Sequence, residues 1–322
     1  MSLDVVTFGE AMVLLVADRP GPIEQAESFA KRTAGAETNV AIGLSRLGLR
    51  VGWASRLGAD SMGRYLLGAI AAEGIDCSRV ECRADERTGM MFKGRVAPGA
   101  VGAAADPAIE YHRQGSAASR MGPDDIDVDW LTAARHLHAT GIFAALSPTC
   151  LAATHRSIEL MRAAGRTVSF DPNLRPSLWP SPERMREVLN ELAFRADWVM
   201  PGIGEGKLLT GAETPEGIAR FYRDRGVSTV VIKLGSEGAY FDSADRRGRV
   251  AGYPVPKVVD TVGAGDGFAV GVISALLEGC DLETAVRRGA WIGARAVQVL
   301  GDTEGLPTRA QLAEQPATPA GR

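Results

Sequence analysis

Three glycines and two aspartates share the nine residues DTVGAGDGF, Asp260 to Phe268, directly ahead of an apolar stretch. Phe268, Val272, Ile273 and Leu276 recur at helical spacing, which places Gly263, Ala264 and Gly265 at the start of a helix. Small residues let several backbone N–H groups converge, and the helix end contributes about half a positive charge. The product is a hole for an anion. Asp266 falls in the first turn, either as a carboxylate that stabilises the helix or as a base held beside the anion. So close to a phosphate-sized pocket, a carboxylate is electrostatically unfavourable unless it has a proton to take. Phosphoryl transfer needs both parts: donors for the migrating group and a carboxylate for the attacking hydroxyl.

Other loop chemistries fit less well. The chain has no GxxxxGK[ST] segment, and Phe268 stands where GxGxxG would need its third glycine. The loop also lies near the C-terminus rather than after the first strand, so a nicotinamide-dependent oxidoreductase is a distant alternative. His136 and His138 alternate on an apolar strand without an evident third ligand, which fits core histidines better than a metal pair.

Bulk composition sets the frame. The 322 residues are 45% hydrophobic and 23% charged, ordinary for a globular chain, with a net charge of −3 that favours neither nucleic acid nor anionic membrane. Cys77, Cys82, Cys150 and Cys280 lack CxxC spacing and read as reduced thiols. No apolar run reaches the roughly 20 residues of a membrane span, and the first residues lack the basic and apolar regions of a secretion signal, so a cytoplasmic protein is expected.

Strands and helices alternate along the chain. Strands are expected at Leu3–Gly9, Val51–Leu57, His136–Thr140, Thr167–Asp171, Trp198–Met200 and Thr229–Lys233. Helices are expected at Asn39–Leu47, Met62–Glu73, Leu151–Ala164, Pro182–Arg195, Pro215–Arg225, Phe268–Leu277 and Ala285–Leu300. That alternation argues for an α/β fold with a mainly parallel sheet covered on both faces, and for ligands beyond the carboxyl ends of its strands. Glu10–Gly35 and Thr88–Arg113 break the pattern with short strand-like pieces (Met90–Val96 and Ile109–Arg113) around the Gly/Ala-rich Pro98–Pro107. They are expected to form a small β-lid over the sheet edge. The Pro/Ala/Gly-rich end, Gln315–Arg322, is expected to fray.

DTVGAGD followed by an apolar helix resembles the C-terminal signature of the ribokinase-like (PfkB-type) carbohydrate kinases. AGAETNVAIGLSRLG, Ala34 to Gly48, is similar to the family's N-terminal signature, SRLGADSMG at Ser55–Gly63 to the segment after it, and VIKLGSEGAY at Val231–Tyr240 to the strand and turn beside the nucleotide. The resemblance implies a three-layer α/β/α sandwich spanning 1–312, a lid from 11–35 and 88–113, and a tail at 313–322. It implies Asp266 as catalytic base, with the N–H groups of Gly263, Ala264 and Gly265 holding the transferring phosphoryl group. Gly35 and Asn39 would contact the sugar; Lys233, Gly235, Ser236 and Gly238 would line the ATP side, although Lys233 also reads as a solvated strand end. Mg²⁺ would accompany ATP, held indirectly through water by Glu205. Where the family usually carries Asn-x-x-Glu this chain has GIGE, so Gly202 brings no side-chain oxygen.

Within the family, EYHRQGSA at Glu110–Ala117, DPNLRPSLW at Asp171–Trp179 and LGDTEGLP at Leu300–Pro307 resemble the 2-keto-3-deoxygluconate kinase branch. Arg113 and Arg175 could then grip a substrate carboxylate bidentately, Tyr111 would pack on the sugar or bond a hydroxyl, and Asp302 would sit near the base. Arg175 could equally pair with a surface acid, and Tyr111 could fill a lid interface. His112 and Met91 stand where the branch often carries aromatics. Fructokinase and ribokinase are the alternative activities, and a catalytically weak sugar-binding regulator is the alternative class. Open lid edges suggest a homodimer formed through the lid.

Overall fold

The computed structural model describes residues 2–96 and 107–316. Most of the Gly/Ala-rich lid stretch (97–106) and the last tail residues (317–322) lie outside the described residues. In chain order the strands are β1 (Val5–Phe8), β2 (Met12–Pro20), β3 (Phe29–Ala34), β4 (Val51–Gly58), β5 (Asp76–Arg83), β6 (Met90–Arg95), β7 (Ile109–His112), β8 (His136–Thr140), β9 (Thr167–Asp171), β10 (Trp198–Val199), β11 (Thr229–Lys233), β12 (Ala239–Ser243) and β13 (Arg247–Val250). The helices are α1 (Ala36–Arg46), α2 (Ser61–Ala72), α3 (Val128–Ala133), α4 (Gly141–Leu146), α5 (Pro148–Ala163), α6 (Pro182–Phe194), α7 (Ile203–Thr210), α8 (Pro215–Arg223), α9 (Ala264–Leu277), α10 (Leu282–Ala296) and α11 (Arg309–Leu312).

Nine strands form the main sheet in the order β13-β12-β11-β10-β9-β8-β1-β4-β5, parallel except for the β11-β12-β13 meander. Its interior strands are buried on both faces, and alternate residues feed separate cores. Val6 and Phe8 join α4, α5, α6 and α8 through Phe143, Ile158, Leu189 and Tyr222. Val5 joins α1, α9 and α10 through Val40, Leu44, Val270 and Ile292. Period-two alternation on a sheet covered twice is what makes three layers. The three-layer α/β/α sandwich expected from the sequence is therefore the observed architecture.

The lid is a second sheet, ordered β3-β2-β6-β7. It departs from the end of β1, an interior strand, so it rises over the carboxyl ends of the sheet rather than over its edge as expected. Met12, Leu14, Val16, Ala34 and Met91 form its own small core, against which Leu300 packs. Of the tail, Gln315 and Pro316 are tied down: the Gln315 amide donates to the Tyr253 hydroxyl at 3.2 Å, and that hydroxyl donates to the Pro316 carbonyl at 3.2 Å. Among the described residues no helix is long and apolar enough to cross a membrane.

Close contact between α9 and α10 fixes where the glycine loop points. A Cβ on Gly271 would overlap the backbone of Gly289 across the helix pair. Helix propensity alone favours alanine over glycine by about 1 kcal/mol. Gly271→Ala should nonetheless lose about 1–3 kcal/mol in urea unfolding through overpacking; unchanged or raised stability would contradict this packing.

Candidate active site

The loop leaving β9 and the end of β11 meet the N-terminus of α9, and the loop leaving β10 braces the β9 loop. Gly263 caps that helix with φ of +81°, and a Cβ there would stand 2.5 Å from the Asp302 carbonyl oxygen, so both conformation and space demand glycine. The first helical bond runs from Gly267 N–H to the Gly263 carbonyl at 2.8 Å, which leaves the N–H groups of Ala264, Gly265 and Asp266 outside the helical ladder. Their dipoles add to that of a 14-residue helix.

Asp266 is buried, and its side-chain hydrogen bonds come from two amides. Asn39 Nδ2 donates to its Oδ2 at 2.8 Å and Asn173 Nδ2 to its Oδ1 at 3.4 Å. Burial pushes its carboxyl up to about 7; the Asn39 amide and Lys233 oppose the shift, while Asp171 and Asp302 add to it. Such a group exists in both protonation states near neutrality, as a general base requires.

A second carboxylate organises the floor. Asp171 Oδ2 accepts from Lys233 Nζ at 2.6 Å, and its Oδ1 accepts from the Asn173 backbone N–H at 3.2 Å. That bond helps hold Asn173 at φ of +41°, the sole non-glycine residue with positive φ among those described, and aims its amide at Asp266. Lys233 is thus paired inside the site, not a solvated strand end; a Cβ on Gly265 would lie 3.4 Å from its Nζ. The turn after it is tight: Leu234 N–H reaches the Gly238 carbonyl at 2.8 Å around Gly235 and Ser236, and a Cβ on Gly238 would overlap the Val250 carbonyl.

Glu205 spends both oxygens on backbone: Oε1 accepts from Leu174 N–H at 2.7 Å and Oε2 from Gly202 N–H at 2.6 Å. It caps α7 and fixes the Asp171–Arg175 loop. Gly202 donates its own N–H to this cap, so the missing side-chain oxygen leaves Glu205 in place. Among the described residues no group of three His, Cys, Asp or Glu side chains is arranged to hold a metal ion.

On the lid side, Gly35 takes φ of +150° with its Cβ position 2.5 Å from the Glu10 carbonyl. The two arginines expected to meet a substrate carboxylate are each engaged within the protein. Arg113, its side chain 9% exposed, is ion-paired with Glu10, which also accepts from Ser116, while its Nε has no hydrogen-bond partner among the described residues. Half-buried Arg175 donates to the Leu174 carbonyl at 2.8 Å rather than to a surface acid. Tyr111 is 44% exposed, with the Arg113 guanidinium 5.8 Å from its ring centre. Asp302 is buried and pushed up to about 6, chiefly by desolvation. His136 and His138 bond Ser169 and stay neutral core residues.

Sequence reasoning missed Asn173, Asp171, Glu10, Glu37 and Lys93. Asp171 and Asn173 lay in view, since Asp-Pro-Asn ends a strand at the sheet's carboxyl edge. Glu10, Glu37 and Lys93 are buried charges, and a lone acid or lysine in the sequence carries no sign of burial. Glu37 accepts from Thr140 Oγ1 at 2.6 Å and is raised to about 7 by desolvation.

Comparison with known proteins agrees with this geometry. The profile of the pfkB family carbohydrate kinases matches residues 2–309. The chain belongs to that family. It is 50% identical to a 2-dehydro-3-deoxygluconokinase of Bacillus subtilis (strain 168), over 97% of this chain and 95% of that protein. Its fold is similar to the crystal structure of a PfkB protein from Polaromonas sp. JS666, at 66% identity and TM-score 0.89, covering 97% of this chain and 99% of that one. It is also similar to an E. coli chain solved in complex with ATP and Mg²⁺, at 29% identity and TM-score 0.88, covering 97% and 98%. The chain is a carbohydrate kinase.

Because only the deprotonated form of Asp266 can accept a proton, kcat/KM should fall as pH drops through about 7. Asn39 stabilises the charged form, so Asn39→Leu should move that acidic limb to higher pH. A wild-type limb in the ordinary carboxylate range, about 4, would refute the assignment.

Proposed function

We propose that the protein transfers the γ-phosphoryl group of ATP to a primary hydroxyl, O6, of 2-keto-3-deoxygluconate. The observation that carries this reading is near-full-length identity of 50% to a 2-dehydro-3-deoxygluconokinase, on a chain whose buried Asp266 sits at the glycine-capped start of α9.

In this reading the acceptor oxygen attacks the γ-phosphorus, its proton passes to Asp266, and the bond to the β-phosphate oxygen breaks to release ADP. The N–H groups at Gly263, Ala264 and Gly265 take up charge on the migrating group. Lys233 and the Gly235-Ser236-Gly238 turn flank the phosphates. Mg²⁺ would neutralise phosphate charge; with Glu205 and Asp171 each already holding N–H donors, they would reach it through its retained waters.

Gly35, Asn39, Tyr111 and Asp302 would hold the sugar. Among the described residues Asn39 Oδ1 is a buried acceptor without a hydrogen-bond partner, suited to a sugar hydroxyl. Arg113, fixed by Glu10 and with Nε unpartnered among the described residues, and Arg175 would meet the substrate carboxylate. Ion pairing to Glu10 does not remove Arg113 from this role, since a guanidinium has five donors. Two protomers would associate through the open lid edges at β3 and β7.

An acceptor screen across keto-sugar acids, ketohexoses and pentoses should show the highest kcat/KM for 2-keto-3-deoxygluconate; preference for fructose or ribose would overturn the substrate assignment. Asp266→Asn should lose about 10²-fold or more in kcat. Light scattering at micromolar protein should give a dimer mass, and a monomer mass would contradict the lid interface.

A further inference from the structure

Lys93 lies on lid strand β6 and is among the largest fully buried side chains in the protein. Its ammonium is 2.5 Å from Asp260 Oδ2 and 3.7 Å from Asp302 Oδ1, with all three side chains at most 5% exposed. Buried charges of this kind are costly, and their positions are correspondingly strict.

The two acids belong to the segments that shape the anion hole. Asp260 opens the DTVGAGD loop; its Oδ1 accepts from Val262 N–H at 3.2 Å and its Oδ2 from Gly301 N–H at 3.3 Å. Asp302 lies next to Gly301 and presses its carbonyl on Gly263, the residue that caps α9. A single ammonium from the lid therefore bridges the two carboxylates of the clamp that sets the turn at Gly263. Arg32 of β3 adds a second tie from lid to the same loop, reaching Glu304 at 2.9 Å.

We infer that Lys93 is a positioning residue for phosphoryl transfer: its buried ammonium, carried by the lid, locks the Asp260 and Asp302 segments so that the amides at Gly263–Gly265 face the migrating group. Lys93 touches neither substrate in this account. It makes the competence of the anion hole depend on the seating of β6. The inference rests on the reading of Gly263–Gly265 as the phosphoryl-binding turn.

Two variants separate charge from packing. Lys93→Ala leaves room for a small cation between the carboxylates, and Lys93→Met fills that room without charge. Both should lower kcat by at least about tenfold, as displaced catalytic donors do. KM for the sugar should stay within about threefold of wild type, because the loss falls on the transition state. Added methylammonium should restore Lys93→Ala and not Lys93→Met, with tetramethylammonium as the salt control. Wild-type kcat in Lys93→Met, or methylammonium that rescues neither variant or both alike, would overturn the inference. Should Lys93→Ala not fold, kcat of Lys93→Met decides alone. Asp266→Asn is assayed alongside: full activity there would remove the site reading itself, whereas an inactive Asp266→Asn beside a fully active Lys93→Met would remove only the role of Lys93.

Discussion

A buried carboxylate held by amides rather than by a cation is the constraint on which the site turns. Asp266 receives hydrogen bonds from Asn39 and Asn173, and desolvation raises it to about 7. A direct ion pair would have pulled it down and made it a poor base; exposure would have done the same. Neighbouring groups fix the amides that hold it. Asp171 neutralises Lys233 and bends the chain at Asn173, while Glu205 fastens the loop that carries Asn173.

The fold supplies the address. In a mainly parallel sheet the loops at the carboxyl ends of the strands meet, and here they bring Asp171, Lys233 and Gly202 to the end of the sheet where α9 begins. The lid starts at the same end, because β2 follows β1 after three residues. In the proposed reading, substrate binding beneath the lid and phosphate binding at the helix start would be adjacent consequences of one topology.

Much of this was legible in the sequence. Period-two and helical patterns located β9 and β11 as observed and most helices to within a few residues. The glycine-aspartate run marked the start of α9, although that helix begins at Ala264, ahead of its first apolar residue, because Gly263 caps it. What stayed hidden follows from burial. Strand β5, DCSRVECR, is an edge strand with mostly exposed side chains and no apolar alternation to read. Lys93, Glu10 and Glu37 look like surface charges until the lid and the body are brought together. Arg113 was located on the lid, but its partner Glu10 lies more than a hundred residues away, and no local pattern joins them.

The central claim is that Asp266 titrates near neutrality inside the folded enzyme. Carbon-13 NMR of aspartate carboxyls, assigned by difference from Asp266→Asn, reads that group without reference to turnover. The account predicts one signal with a midpoint near 7 that vanishes in the variant. An Asp266 signal that titrates near the ordinary aspartate value of about 4 would contradict it.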